Sequence, residues 1–221
     1  MKSKLIYLIL VKLTLAIHNI VYKLVARFAV KVEGGIHPKH RITNYHKFFS
    51  DNIEDGESVL DVGCGKGILT LDLATKAGKI VAIDKSKREI TIAQKDYSAR
   101  NIEYLLGDAV AYDFGKTFDV VVLSNVLEHV ENREELLKKV KNISPKILIR
   151  VPMINRDWIT LFKKENGIEW RLDNTHFTEY TLDSFKDELM KADLKLEEHS
   201  IQYGEIWGIA PHTEFRLFSL V

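Results

Sequence analysis

The segment Ser58-Val59-Leu60-Asp61-Val62-Gly63-Cys64-Gly65-Lys66-Gly67 constrains the fold more than any other part of the chain. An apolar run of β type, with an acid near its end, leads into three glycines spaced two apart. Ile68, Leu69, Leu71, Leu73 and Ala74 follow in a pattern that suits a helix. A strand, a tight glycine turn and a helix start let a nucleotide-like ligand lie against bare backbone. Dinucleotide folds place a pyrophosphate at this helix N-terminus, where the macrodipole favours an anion. The Asp61 carboxylate would repel that group and suits a ligand carrying ammonium and sulfonium charge. The GxGxG spacing, in place of GxGxxG, also counts against a nicotinamide-dependent oxidoreductase.

Further landmarks follow in order. Lys79-Ile80-Val81-Ala82-Ile83 ends in Asp84, 17 residues after Gly67. Ile102 to Leu106 is followed by Gly107-Asp108-Ala109, and Phe118 to Leu123 leads into Ser124-Asn125-Val126-Leu127-Glu128-His129. Across residues 58 to 130 this series resembles the class I S-adenosylmethionine-dependent methyltransferases. The resemblance implies S-adenosylmethionine as cofactor. It gives Asp84 the two ribose hydroxyls, which a carboxylate can accept together, and sets Asp108 and Ala109 beside the adenine. Asp61, Gly63, Cys64, Gly65, Gly67, Lys85, Ser124 and Asn125 complete the expected cofactor contacts. A domain that binds this cofactor without turnover carries the same landmarks, because binding is not catalysis.

The expected fold class is α/β, a doubly wound and mostly parallel Rossmann-like sheet with a C-terminal antiparallel hairpin and an N-terminal amphipathic helical extension. Strands are predicted near 58–62, 79–84, 102–106, 118–123 and 145–151, and helices near 66–77, 86–98, 131–142 and 181–192. Their alternation is that of a parallel sheet covered on both faces. Ser86 and Thr181 are plausible helix caps. The tail from Leu194 to Val221 reads as extended segments broken at Gly204, Gly208 and Pro211. Residues 1–50 are expected to form the extension or lid and 51–221 the catalytic domain.

A chain of 221 residues can bury one sizeable core. A single cysteine, Cys64, excludes an internal disulfide, and it reads as a small residue in a crowded turn. The expected location is cytoplasmic, or peripheral on the inner face of a membrane. Net charge is +1, but residues 1–50 hold nine basic side chains against Glu33 alone, leaving −7 on the remainder. This asymmetry suggests an anionic partner for the basic end. Leu13, Ile17, Ile20, Val21, Leu24, Val25 and Phe28 fall on one helical face, with Lys12, Asn19, Lys23 and Arg27 on the other side. That helix either packs on the catalytic domain or a second subunit, or lies on an anionic membrane surface through residues 1–31. Lys12, Lys23 and Arg27 argue against a spanning segment. Ile42 to Ile53 reads as one further helix. His37, His40 and His46 read as a cationic rim or a solvated loop.

Methyl transfer to a hydroxyl benefits from a general base, a role that suits histidine near neutral pH. His129, just past the fourth strand, and His176, in Asn174-Thr175-His176-Phe177 ahead of a helix, compete for it. Thr-His at such a position resembles several O-methyltransferases, including those of ubiquinone biosynthesis. Catechol-type relatives hold a cation with acids after the fourth and fifth strands. Val151-Pro152-Met153-Ile154-Asn155 lacks that acidic pair, so no metal is expected. Ser124-Asn125-Val126-Leu127 lacks the Pro-Pro-aromatic motif of DNA amino-methylating enzymes, and nucleic acid is not a favoured partner. The long connection from Pro152 to Tyr180 is expected to cover the site; Arg156, Trp158, Lys163, Lys164, Trp170 and Arg171 are candidates to hold a sugar, a ring or an anionic head group, and Trp158, Leu161 and Phe162 alternatively pin the cover to the core. The expected acceptor is a small molecule, a glycan or a lipid-linked intermediate, methylated at oxygen.

Overall fold

The computed structural model describes residues 2–211. Five strands, β1 (Ser58–Val62), β2 (Lys79–Asp84), β3 (Ile102–Leu106), β4 (Val120–Ser124) and β5 (Lys146–Pro152), run parallel. β6 (Glu198–Gln202) and β7 (Glu205–Pro211) form an antiparallel hairpin that joins the sheet through β5. The order is β3-β2-β1-β4-β5-β7-β6, a doubly wound, Rossmann-like sheet. The chain reverses its direction of growth between β1 and β4, and ligands in such sheets bind at the carboxyl ends beside that switch.

The central strands read as unbroken apolar runs because both sheet faces are covered. On one face Leu60, Val81, Val121 and Ile147 pack against α6 (Arg133–Ile143) and α8 (Leu182–Lys191). On the other, Val59, Ile80, Val120 and Leu148 meet α3 (Tyr45–Asp51) and α4 (Ile68–Leu73). Adjacent residues thus alternate between two cores, as the two-residue strand period requires. The Ser86 hydroxyl caps α5 (Lys87–Asp96) by accepting from the Glu89 amide, and Thr181 with Ser184 forms a capping box on α8.

Several local expectations change. The helix after the glycine turn stops at Leu73 and ends in turns before β2, well short of residue 77. Ile42 to Ile53 is not one helix: Asn44, at φ 50°, breaks it into α2 (Lys39–Thr43) and α3. The extended tail holds as the β6–β7 hairpin to Pro211, and its last ten residues lie outside the described part.

The N-terminal helix differs most. α1 (Lys2–Val32) is one continuous helix of 31 residues. Its expected apolar stripe faces outward: Leu13, Ile17, Ile20, Val21, Leu24, Val25 and Phe28 are each 40–60 % exposed. The body is met by the opposite side, through Val11, Leu15, Asn19, Ala26 and Val30. The basic residues also fail to rule out a span by composition. Ser3–Val32 contains an 18-residue window of mean hydropathy 1.8, long and apolar enough to cross a membrane.

Candidate functional site

At the carboxyl end of β1 the chain enters the glycine turn. The amides of Gly63 and Cys64 donate to the Ile83 carbonyl at 2.7 and 3.2 Å, which ties the turn to β2. The Asp84 carboxylate completes the joint, accepting from the Gly65 amide at 2.9 Å and the Ser86 amide at 2.7 Å. Two glycines are required by close packing. A Cβ on Gly63 would stand 2.8 Å from Val126, and one on Gly67 would overlap the Tyr104 hydroxyl, far inside van der Waals contact. Both also sit at positive φ, which side chains disfavour.

Two cavities meet at Gly63. The larger, about 960 Å³, is bordered by Asp84, Lys85, Asp108, Ala109, Asn125, His129 and His176. The smaller, about 310 Å³, is bordered by Asp61, Cys64, Gly65, Ser124 and, from outside the glycine turn, Arg150. Every residue expected at the cofactor therefore borders one cavity or the other except Gly67, which is confined to the start of α4.

The smaller cavity is strongly charged for its burial. Asp61 is buried and accepts from the Thr70 hydroxyl at 2.6 Å. Burial pushes its carboxyl up to about 7; Thr70 opposes the rise and Asp84 adds to it. Burial likewise pushes the Cys64 thiol up, so it is no activated nucleophile and fits the reading of a small turn residue.

Arg150 is the residue that sequence reasoning missed here. It lies inside the apolar strand β5 and is only 2 % exposed. Its guanidinium stacks 3.5 Å from the centre of the Tyr45 ring, and its Nε lies 2.6 Å from Asn125 Oδ1 and 3.3 Å from Glu205. Its Nη1 has no hydrogen-bond partner among the described residues. A buried arginine with a free donor is costly unless something else satisfies it. A lone charge within Ile147-Leu148-Ile149-Arg150-Val151 was the available signal. Lys39 and His40 also border this cavity. Burial drives His40 down to about 4, so it is neutral and does not belong to a cationic rim. Nor is the segment a solvated loop, since His40 contacts His46 at 2.9 Å and the Tyr45 hydroxyl at 2.8 Å.

In the larger cavity the two competing histidines prove to be neighbours, their rings 4.6 Å apart and edge to face. His176 Nδ1 lies 2.9 Å from Glu179, a buried carboxylate that also takes the Leu172 amide at 2.6 Å and pairs with Arg156. A carboxylate on Nδ1 holds the proton there and leaves Nε2 free to accept one. His129 contacts the Thr175 hydroxyl at 2.9 Å, and burial, then His176, lowers its pKa.

Glu128 is fully buried beneath this pair, and burial raises its carboxyl to about 7. One of its oxygens accepts from Asn125 Nδ2 at 2.8 Å, while the other has no partner among the described residues. Ligand atoms of Glu128, His129 and His176 lie within 4.8 Å of one another, close enough to share one divalent cation. Scanning the chain after β5 for acids could not reveal this cluster, because its members come from two separate loops.

The cover is α7 (Trp158–Glu165) and the loop after it. Arg171 and the stretch Asn174 to Phe177 border the larger cavity. The Phe177 amide donates to the Glu128 carbonyl at 2.7 Å, fastening the cover to the turn after β4. Trp158 and Leu161 do not pin the cover, being 71 % and 40 % exposed.

Residues 36–199 match the family described as a methyltransferase domain, which is most of the chain. The chain belongs to that methyltransferase family. Among relatives of this family, the ubiquinone biosynthesis O-methyltransferase of Rickettsia conorii is 32% identical over 146 residues, 63% of this chain and 50% of that protein. The (S)-coclaurine N-methyltransferase of Thalictrum flavum is 36% identical over 94 residues, 40% of this chain and 26% of that protein. The chain thus spans half or less of these two relatives. In fold, it is similar to the magnesium protoporphyrin IX methyltransferase of Synechocystis with bound SAH, at a TM-score of 0.63 and 15% identity, covering 79% of this chain and 83% of that one.

Proposed function

We propose that this methyltransferase-family chain binds S-adenosylmethionine across the two joined cavities and methylates an oxygen of a small acceptor. One observation carries the reading: the histidine pair borders the same cleft as Asp84 and Asp108, so a proton acceptor and the cofactor landmarks share one space.

The residues present suit that ligand. Arg150 Nη1, which has no partner among the described residues, and the buried Asp61 carboxyl border the smaller cavity, where a methionyl carboxylate and ammonium would complement them. Asp84 faces the larger cavity, which suits the ribose hydroxyls, with Asp108 and Ala109 further along for the adenine. When bound, the sulfonium supplies an electrophilic methyl group with a neutral thioether as leaving group. His176, oriented by Glu179, takes the acceptor hydroxyl's proton at Nε2, and His129 borders the same cleft as a second contact. Alignment of acceptor and methyl supplies much of the remaining acceleration.

A second reading has its own observation. The unpartnered Glu128 oxygen, with His129 and His176 nearby, suits a divalent cation that would hold the acceptor oxygen and lower its pKa. Relatives that methylate oxygen and nitrogen leave the acceptor atom to experiment.

Titration with S-adenosylhomocysteine and with NAD separates the proposed cofactor from a nicotinamide. Labelled methyl incorporation into acceptor pools then separates an enzyme from a non-catalytic binding domain. Tight S-adenosylhomocysteine binding with no incorporation into any pool would favour the latter.

A further inference from the structure

α1 carries two faces of opposite fate. One touches the body: the Asn19 side chain donates to the Glu169 carbonyl at 2.7 Å, and His18 Nδ1 lies 3.0 Å from Lys163 Nζ. The other, centred on Leu13, Ile17, Ile20, Leu24 and Phe28, is covered by none of the described residues and stays 40–60 % exposed. An apolar stripe of that length is not a feature that water tolerates without a partner. From Lys2 to Val32 the helix holds no acidic residue, and Lys12, Lys23 and Arg27 fall along the border between the two faces.

We propose that α1 lies in the plane of an anionic lipid bilayer, with its outward stripe in the acyl boundary and the bordering cations among the headgroups. Charge decides the occupant. Two copies joined along this stripe would bring together helices that carry only positive charge. Anionic headgroups complement the same residues, and each basic side chain near such a surface adds attraction. Geometry decides the orientation. The docked face extends from Val11 to Val30, so a spanning helix would drag Lys163 and Glu169 into hydrocarbon or tear away from the body. Lying flat keeps those contacts and sets the cover, which borders the larger cavity, next to the lipid surface.

The full chain is tested by sedimentation with vesicles of phosphatidylcholine alone and with phosphatidylglycerol added. Binding is expected only to the anionic vesicles. It should weaken at least about tenfold between roughly 0.1 and 1 M salt, as the screening length contracts from ~10 to ~3 Å. Replacing Leu13, Ile17, Leu24 and Phe28 together by Gln should abolish binding. These side chains are exposed, so the thermal transition and S-adenosylhomocysteine affinity should not move, which keeps this test independent of the cofactor reading. No vesicle binding, binding that ignores lipid charge, or binding retained by the quadruple variant would overturn the proposal. So would a stable dimer that the same variant breaks apart, or a membrane-bound form that resists alkaline extraction as a spanning helix does.

Discussion

The Arg150 guanidinium lies 3.5 Å from the centre of the Tyr45 ring, a cation stacked on an aromatic face inside the molecule. It joins strand β5 to helix α3 and holds the arginine where the smaller cavity begins. Replacing Arg150 by Lys keeps the charge but loses the planar stack and the contact to Asn125. We expect S-adenosylhomocysteine affinity, measured by calorimetry, to fall about 10- to 100-fold, the loss typical of one or two charge-assisted hydrogen bonds. Tyr45→Leu should lower affinity less and reduce the melting temperature.

Asp84 serves the fold before it serves any ligand, since it accepts from two backbone amides. Asp84→Asn keeps the shape but turns half of that acceptor into a donor facing an N–H group. The variant should lose about 1 kcal/mol of stability, the usual net worth of one partly exposed hydrogen bond. Its affinity for S-adenosylhomocysteine should drop in parallel, as denaturation and titration would show together.

Asp61 gives a pH signature with a definite sign. Its folded-state pKa, about 7, lies above the ordinary carboxylate value. The group therefore favours the fold when protonated, and that contribution is lost as pH rises from about 4 through 7. Asp61→Asn should flatten this decline in the unliganded protein, seen as a higher melting temperature at pH 8. Ligand binding should run the other way. An ammonium group prefers the ionised carboxylate, so S-adenosylhomocysteine affinity should rise through neutral pH, and the Asn variant should lose that slope.

The base assignment rests on the His176–Glu179 contact. His176→Ala should reduce turnover by roughly 10²–10⁴, the usual worth of a general base, without changing cofactor affinity. Glu179→Gln should also slow turnover, because the imidazole loses the partner that sets its tautomer. If His176→Ala and His129→Ala both keep wild-type turnover, neither is the base. Activity abolished by a chelator and restored by one divalent cation would favour the Glu128–His129–His176 metal reading.

Much of the scaffold could be read from the chain. β1, β2 and β3 fall where predicted and β4 and β5 within two residues; β1, β2, β4 and β5 were legible because strands covered on both faces are largely apolar runs, while β3 is a partly exposed edge strand. The glycine turn was legible because its conformations leave few alternatives. Arg150 was hidden by its setting: periodicity classed its strand as core, and only the fold places Tyr45 beneath the guanidinium. Glu128 and Glu179 were obscured because their meaning depends on which loop each one meets. The stripe on α1 was visible as a pattern, yet periodicity cannot tell whether an apolar face seeks protein or lipid.

The amide of Phe177 and the carbonyl of Glu128 form a latch between roof and floor of the larger cleft. A bulky guest entering from that side has to unfasten it, at a net expense of about 1 kcal/mol for a single backbone hydrogen bond. So weak a fastening is a small part of the cleft's total stability, and access for large guests need not involve rearrangement of the sheet. Because the latch grips the peptide before Phe177, it also ties His176, the neighbouring residue, to the turn that carries His129 and so fixes the spacing of the two rings.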